Sequence, residues 1–200
     1  MLSVENLTCA RGGVPILEGV NFDLPKGQAL ILRGQNGSGK TTLLRTIAGL
    51  QPALSGNISV SPESVAYGAH LDGVKSTLTV KENLNFWAGV FGTHIVDQAM
   101  KAFEIENLQE RFAQNLSAGQ KRRLGLARLI VTGRPIWVLD EPTVSLDKES
   151  VALFARTISQ HLSDGGAALI ATHIDLGLDA EILDVSQFKA RSTAHLDAFL

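Results

Sequence analysis

Residues 34–42 combine glycines, a lysine and two threonines in a pattern that suits phosphate binding. The glycines permit a tight turn in which successive backbone N–H groups converge on one anion. Lys40 would reach the β- and γ-phosphates of a nucleotide, and the Thr41 hydroxyl would be a ligand of Mg²⁺. A flexible glycine turn is the alternative, but the flanking sequence favours a nucleoside triphosphate. The predicted phosphate-binding residues are Gly34, Gln35, Asn36, Gly37, Ser38, Gly39, Lys40, Thr41 and Thr42.

The sequence on both sides of this loop predicts the elements that such a loop needs. The apolar run at residues 29–32 predicts a strand, and residues 43–50 have the spacing of a helix. A helix that begins near Gly39 would direct its free N–H groups and its positive dipole end at the bound anion.

Two acids follow a second apolar run at residues 135–139. A buried strand that ends there would place Asp140 at the carboxyl edge of the sheet, where ligands of open α/β folds bind. Asp140 could hold Mg²⁺ through water, and Glu141 could accept a proton from the water that attacks the γ-phosphorus. A polar turn after the strand is the alternative, and the phosphate loop in the same chain favours the chemical interpretation.

A third candidate group is Ser117, Gly119 and Gln120, which precede a basic helical stretch. Ser117 is a natural N-cap, and Gly119 would let an anion approach the backbone. An ordinary helix cap explains Ser117 equally well.

The order of apolar runs and turn signals predicts an α/β fold with a parallel sheet. An inserted helical segment is expected because Ser76 or Thr79 could cap a helix and residues 96–103 suggest another. We expect one domain, residues 1–200, with a core at about 1–70 and 133–188 and helices at about 71–132. The other predicted elements are strands at 2–4 and 20–24, a strand pair at 57–60 and 64–67, a helix at 148–162 and a strand at 167–171.

Composition limits the classes of function. A hydrophobic fraction of 44% supports a globular core, and a net charge of −2 gives no electrostatic case for a nucleic-acid partner. Cys9 is the single cysteine, so an internal disulfide is excluded and a packed thiol is expected. The start of the chain lacks the pattern of a secretion signal, and no run reaches the roughly eighteen apolar residues of a membrane span. We therefore expect a cytoplasmic protein whose role at any membrane comes through a partner.

The stretch Leu116-Ser117-Ala118-Gly119-Gln120 resembles the Leu-Ser-Gly-Gly-Gln signature of the ATP-binding cassette (ABC) ATPases. The family's motif order is also matched: the phosphate loop, the signature, Asp140-Glu141, residues 145–147, and Thr172-His173. This resemblance covers nearly all of residues 1–185. It implies a P-loop NTPase core of ABC type with an antiparallel β subdomain and an inserted helical subdomain.

The same resemblance implies a homodimer in which two ATP molecules are sandwiched head to tail. Lys40 of one subunit and the signature residues Ser117, Gly119 and Gln120 of the other would bind each ATP. Asp147 would lie along the dimer interface. His173 would contact the γ-phosphate and help to hold the attacking water.

Two positions depart from the family pattern. Arg11 stands where an adenine-stacking aromatic is usual; a guanidinium can also stack on a base, or Arg11 is a solvated surface charge. His70 stands where a glutamine usually links Mg²⁺ to the helical insertion; it could take that role with an imidazole that titrates near neutrality, or it is a plain loop histidine.

Four motifs in this short chain resemble one branch of the family, the haem-exporter ATPases of cytochrome c biogenesis. They are Arg11-Gly12, Tyr67-Gly68-Ala69-His70, the stretch 116–123 and the stretch 132–147. This similarity implies a peripheral subunit on the cytoplasmic face of the bacterial inner membrane, bound to integral membrane subunits. The aromatic residues Phe86, Trp87 and Phe91 are the expected contact, although packing within the helical segment explains them as well.

Three other functions stay open. The chain could be the ATPase of another small-substrate ABC transporter. A soluble ABC ATPase of DNA repair or translation is a second possibility, but the chain has neither the large insertions nor the basic linked cassettes of that class. A regulatory sensor that binds ATP without turnover is the third, and Glu141 argues against it because a sensor needs no base.

Overall fold

The computed structural model describes residues 1–69 and 73–190. Eight strands lie in this part of the chain: β1 (Leu2–Arg11), β2 (Val14–Leu24), β3 (Ala29–Arg33), β4 (Ser55–Ile58), β5 (Val65–Gly68), β6 (Ile136–Asp140), β7 (Ala167–Ala171) and β8 (Ala180–Asp184). Its five α-helices are α1 (Lys40–Ile47), α2 (Val80–Phe91), α3 (Val96–Ala102), α4 (Ala118–Val131) and α5 (Lys148–Ser163). Short 3₁₀ turns occupy Pro62–Ser64, Glu106–Leu108, Ala113–Asn115 and Val185–Phe188.

The strands form two sheets of different type. An antiparallel sheet has the order β2-β1-β4, and a parallel sheet has the order β5-β6-β7-β3-β8. The hairpin between β1 and β2 turns at Gly12 and Gly13, whose φ angles of 59° and 84° fit the two-residue turn that favours glycine. Helices α2, α3 and α4 pack against one another beside β5. The predicted fold class is therefore confirmed, while the domain boundaries stay a prediction.

The central strands explain where the core lies. All five residues of β6 are buried, as the apolar run predicted. Successive side chains of a strand point to opposite faces, so Trp137 and Leu139 join a core with α2 to α5, whereas Ile136 and Val138 join a core with α1 and the antiparallel sheet. The parallel sheet is thus covered on both faces, and the phosphate loop follows the carboxyl end of β3 in this sheet.

Several predicted bounds were wrong. The strands near 57–60 and 64–67 do not pair with each other, because β4 pairs with β1 and β5 pairs with β6. Strand β1 continues to Arg11 and strand β2 begins at Val14, because the hairpin lets the two strands pair along nearly their whole length. Helix α1 ends at Ile47 rather than near residue 50, because Gly49 adopts a positive φ of 70°.

Other predicted features are confirmed. Thr79 caps α2 through a capping box with Glu82, and Cys9 is fully buried. Burial raises the pKa of the Cys9 thiol, which favours the inert protonated form. In the described ranges, no helix combines the length and apolarity needed to cross a bilayer.

Candidate functional site

The loop between β3 and α1 is shaped by glycines that no other residue could replace without strain. Gly34 and Gly39 have φ angles of 147° and 102°. A Cβ on Gly34 would lie 2.7 Å from Ser38 Oγ, and one on Gly39 would lie 2.9 Å from Leu17 Cγ. The loop backbone is therefore packed between the helix and the β1–β2 hairpin, with its N–H groups gathered at the start of α1.

Lys40 is the first residue of α1 and is only 8% exposed. Its ammonium group donates hydrogen bonds to the carbonyl oxygens of Gly34 (2.7 Å) and Gln35 (3.3 Å). The side chain is thus folded back over the loop, and a phosphate bound in the loop would lie beside a positive charge.

A cavity of about 440 Å³ opens over this loop. That volume lies within the usual range of small-molecule sites, roughly 300–1,000 Å³. The cavity brings together residues that are far apart in sequence: Arg11, Ile16, Asn36, Gly37, Ser38, Gly39, Lys40, Thr41, Thr42, Arg45, Gln51, Asp140 and Glu141. A larger cavity of about 580 Å³ lies at the opposite edge of the sheet, before β6 and β7, and contains none of the predicted site residues.

Gln51 joins α1 to the strand that leads to Arg11, a contact that the sequence did not reveal. Its amide donates to Thr46 Oγ1 (2.9 Å), to the Thr42 carbonyl (3.2 Å) and to the carbonyl of Ala10 (3.2 Å). These bonds join α1 to the end of β1. The exposed Arg11 side chain therefore lies at the rim of the cavity.

Asp140 ends strand β6 and is 7% exposed. The Tyr67 hydroxyl donates a hydrogen bond of 3.4 Å to Asp140 Oδ2. Burial, and next the Asp140 charge, raise the pKa of Tyr67 to about 12, so the phenol stays protonated and can donate. Thr41, which is exposed, lines the same cavity and supplies a hydroxyl oxygen.

The residues fit a magnesium ion. Hard oxygen ligands are the ones that Mg²⁺ prefers, and proteins often hold it with one or two side chains while substrate phosphates and water complete the shell. Asp140 and Thr41 are such a pair. Within residues 1–69 and 73–190, no cluster of three or more His, Cys, Asp or Glu residues could form an all-protein cage.

Glu141 and His173 come together from neighbouring strand ends. Glu141 Oε1 lies 3.5 Å from His173 Nε2, and the side chains are 28% and 53% exposed. Glu141 has a φ of 47°, which is uncommon for a residue other than glycine. Its N–H donates to the Ala171 carbonyl at 2.9 Å, and this bond fixes the turn to the end of β7.

The turn that carries His173 is fixed separately. The Thr172 hydroxyl accepts a hydrogen bond of 3.1 Å from the N–H of Ile174. The Arg33 guanidinium donates to the Thr172 carbonyl. Strand β3 therefore helps to hold the loop after β7, and Arg33 is a second contact that the sequence did not predict.

The signature residues form the N-terminus of α4. Ser117 Oγ accepts from the N–H of Gln120 (3.2 Å), and the Gln120 side chain accepts from the N–H of Ser117 (3.0 Å). This is a complete capping box. Ser117 is exposed, and neither it nor Gly119 nor Gln120 lines the cavity around Lys40.

Asp147 caps α5 with a single side-chain bond, since its Oδ1 accepts from the N–H of Ser150 at 2.8 Å. The hydrogen bond from Ser150 lowers the pKa of the Asp147 carboxyl, which is fully exposed. Gly119 lies close to this loop: a Cβ there would be 3.5 Å from the Ser145 carbonyl oxygen. His70 lies outside the described residues.

Known proteins resemble this chain in sequence and in fold. The sequence profile of the ABC transporter family matches residues 17–144. The cytochrome c biogenesis ATP-binding export protein CcmA of Cereibacter sphaeroides is 64% identical over 96% of this chain and 92% of its own length. The CcmA protein of Ruegeria pomeroyi is 63% identical over 95% of this chain and 93% of its own. The fold matches a Pyrococcus furiosus protein assigned as an ABC transporter ATP-binding protein, with a TM-score of 0.85 and 24% identity, over 94% of this chain and 99% of the other.

Proposed function

Because this chain belongs to the ABC transporter family, we propose that it is the ATP-hydrolysing subunit of a transporter that serves cytochrome c biogenesis. Family membership makes the chain an ATPase. The observation that carries the proposal for this chain is the cavity in which Lys40, Asp140 and Glu141 meet. Hydrolysis would power the export of haem or its release from a haem chaperone. The names of the CcmA relatives support this process.

The phosphate loop would bind the triphosphate of ATP. Its backbone N–H groups and the N-terminus of α1 would surround the β-phosphate, and Lys40 would exchange its two loop carbonyls for phosphate oxygens. Arg11 at the rim could stack on the adenine. Asp140 and Thr41 would hold Mg²⁺, which neutralises charge on the β- and γ-phosphates when bound.

Glu141 would act as the general base. Glu141 lines the cavity, and its carboxylate would take the proton of a water there as the oxygen attacks the γ-phosphorus. His173 would hold the same water and contact the γ-phosphate, since its Nε2 already lies 3.5 Å from Glu141. General-base catalysis contributes about 10²- to 10⁴-fold to the rate.

A head-to-tail homodimer would complete each site. Ser117 is exposed at a helix N-terminus that has no phosphate to bind in its own subunit's cavity. In the dimer, Ser117, Gly119 and Gln120 would face the γ-phosphate bound by the partner's loop, and Asp147 would lie between the subunits. Loss of that phosphate removes charge-assisted hydrogen bonds worth about 1.5–3 kcal/mol each, so hydrolysis would open the dimer.

The aromatic residues of α2 are the proposed contact with the integral membrane subunits. Phe86 is 42% exposed and Val90 is 58% exposed. The Trp87 ring lies 5.2 Å from Phe86 edge-on and 6.0 Å from Phe91 in a stacked arrangement. Trp87 and Phe91 are half-buried, so Phe86 and Val90 are the exposed part of this apolar surface. Exposed apolar patches with aromatic residues often mark interfaces. Binding there would place the protein at the cytoplasmic face of the bacterial inner membrane.

The proposed process can be tested by complementation of a strain that lacks the gene. Wild-type protein should restore covalently haem-bearing c-type cytochromes, and Glu141→Gln should not, although both should co-purify with the same integral membrane proteins from detergent extracts. The level of b-type cytochromes in the same membranes is the control for haem supply. Unchanged c-type cytochromes in the deletion strain would exclude this process and favour another small-substrate transporter. Recovery of the protein without any membrane subunit would favour a soluble ABC ATPase.

A further inference from the structure

A buried arginine joins the signature helix to the turn that carries the base. Arg122 lies in the second turn of α4 and is 4% exposed. Among residues 1–69 and 73–190, its guanidinium donates to three main-chain carbonyls: Nε to Pro142 (2.8 Å), Nη2 to Glu141 (3.0 Å) and Nη1 to Ala69 (3.0 Å). One side chain therefore connects α4, the end of β5 and the turn after β6.

Two of these acceptors belong to the turn that fixes the conformation of Glu141. That residue has a φ of 47°, a conformation that persists only when its surroundings hold it. The Glu141 N–H is bonded to the Ala171 carbonyl on one side, and the Glu141 carbonyl is bonded to Arg122 on the other. Without the guanidinium, the Glu141 carbonyl would keep only the longer bond of 3.4 Å from the N–H of Val144 among the described contacts, and the carboxylate would be held less firmly in the position in which it faces the cavity.

Helix α4 also lies close to the later part of the loop at residues 141–147. Gly119, in the first turn of α4, lies near the Ser145 carbonyl, since a Cβ at position 119 would be 3.5 Å from that oxygen. Helix α4 and residues 141–147 are thus bonded through Arg122 and lie close together at Gly119. Movement of the helix N-terminus should therefore be felt at the turn that carries Glu141.

We propose that Arg122 is a positioning residue that holds Glu141 of its own subunit and links it to the signature helix. The inference rests on the proposed function, because it assumes that Glu141 is the base and that Ser117 meets ATP bound by a second copy. In that dimer, closure of α4 on the partner's nucleotide would be transmitted through Arg122 to the base of the subunit's own site. Arginine suits this role because its fixed fork of donors reaches three acceptors at once, which lysine cannot do.

The first test compares full-length variants in the complex purified with its membrane subunits. Arg122→Gln should lower kcat by about 10- to 100-fold, since a misplacement of about 1 Å can cost 10² in rate. Its affinity for a fluorescent ATP analogue should change by less than about threefold. Arg122→Lys should recover part of the rate. Arg156→Gln is the charge-matched control, because Arg156 is exposed and forms only a surface ion pair of 3.8 Å with Glu104 among the contacts described.

The second test uses mixed dimers with differently tagged subunits. When Arg122→Gln and Glu141→Gln lie in opposite subunits, the only intact base belongs to the Arg122→Gln subunit, and hydrolysis should fall to about half the rate of the Arg122→Gln homodimer, which has two such sites. When both changes lie in one subunit, the other keeps its base and its arginine, and about half of the wild-type rate should remain. The reverse result would show that Arg122 acts on the partner's site, and equal rates in the two arrangements would show a general structural role; either overturns the proposal.

These outcomes are distinct from failure of the proposed function. If wild-type protein hydrolyses ATP and Glu141→Gln abolishes hydrolysis, but folded Arg122→Gln turns over at the wild-type rate, only the inference about Arg122 is wrong. If Glu141→Gln keeps full activity, the base itself is assigned wrongly. A variant that unfolds below the assay temperature is replaced by Arg122→Lys, whose kcat must then fall while its ATP affinity is retained.

Discussion

Glu141 Oε1 and His173 Nε2 lie 3.5 Å apart, although the two residues come from turns that follow different strands. Both turns are at the carboxyl edge of the parallel sheet, and hydrogen bonds from neighbouring strands hold both. A carboxylate and an imidazole at this spacing can hold one water between them and the γ-phosphate. The pair therefore defines the position of the nucleophile in the proposed reaction.

Replacement of Glu141 by Gln should separate ATP binding from hydrolysis. The amide keeps the size of the side chain but cannot accept the proton, so turnover should fall by at least about 10²-fold. ATP affinity should be retained, and a nucleotide-bound dimer should accumulate on gel filtration with ATP. Glu110→Gln, which changes an exposed acid outside the cavity, is the control. Normal turnover in Glu141→Gln would show that another group is the base.

Alanine substitutions in the phosphate loop should have unequal effects. Gly34→Ala places a Cβ 2.7 Å from Ser38 Oγ and 2.9 Å from Val185 Cγ2, whereas Gly37→Ala meets nothing within 4 Å. Both residues have positive φ, so each change carries a backbone cost of about 1–3 kcal/mol. Gly34→Ala should lose more stability in urea unfolding and should bind ATP at least tenfold more weakly than Gly37→Ala in calorimetry. Equal losses in the two variants would show that the steric contacts are unimportant.

Removal of Mg²⁺ with a chelator should abolish hydrolysis, and Tyr67→Phe should raise the Mg²⁺ concentration needed for half-maximal rate. The phenol holds Asp140 through a hydrogen bond of 3.4 Å and stays protonated at all assay pH values because its pKa is about 12. Loss of a group that orients a metal ligand typically costs 10- to 100-fold in affinity or activity. Because the bond from Tyr67 is long, at 3.4 Å, Tyr67→Phe should cost about tenfold or less. An unchanged Mg²⁺ titration would show that Tyr67 does not orient Asp140.

The charge at position 119 should matter more than the size of the side chain. A Cβ on Gly119 would make an ordinary contact of 3.5 Å with the Ser145 carbonyl, so the fold should tolerate both Gly119→Asp and Gly119→Asn. In the proposed dimer, the carboxylate of Asp would repel the partner's γ-phosphate, whereas the amide of Asn would not. Hydrolysis should therefore fall at least tenfold further in the Asp variant, with equal ATP binding by the monomers. Equal rates would argue against an approach of phosphate to this position.

The free energy of unfolding should decrease at acidic pH, partly because of His161. Burial lowers the pKa of His161 below its usual 6.5, and its ring stacks on Trp137 at 3.9 Å. The unfolded chain therefore binds a proton at His161 more readily than the folded chain does. The contribution of the neutral His161 to the free energy of unfolding is complete above about pH 6.5 and is lost as the pH falls through the lower folded pKa. His161→Gln removes the titrating group, so the midpoint of urea unfolding should change less between pH 7 and pH 5.5 than it does in the wild-type protein. A parallel decline in both proteins would assign the pH dependence to other groups.

Much of the site could be predicted because its chemistry lies in short local patterns. The phosphate loop, the acids after β6, and Ser117 as a helix cap each depend on neighbouring residues. Strand pairing was harder, since β4 and β5 are adjacent in sequence yet belong to different sheets. That choice depends on β1 and β6, which are distant along the chain.

Contacts made by long side chains across the fold were also missed. Gln51, Arg33 and Arg122 look like ordinary surface residues in the sequence, and each binds backbone carbonyls of a distant segment. Arg122 left one signal: it shares the spacing i, i+4, i+7 with the buried Leu126 and Leu129 on α4. A charged residue on the core face of a helix must have partners there.

The bonds from Lys40 to the Gly34 and Gln35 carbonyls affect the choice of an inactive reference protein. Truncation of this side chain would remove the positive charge and would also strip two backbone oxygens of their donor, so the loop itself would relax. In a Lys40→Ala protein, an altered loop would therefore accompany the expected loss of ATP binding. A variant changed only at the carboxylate of Glu141 is the better reference whenever the intact loop has to be preserved.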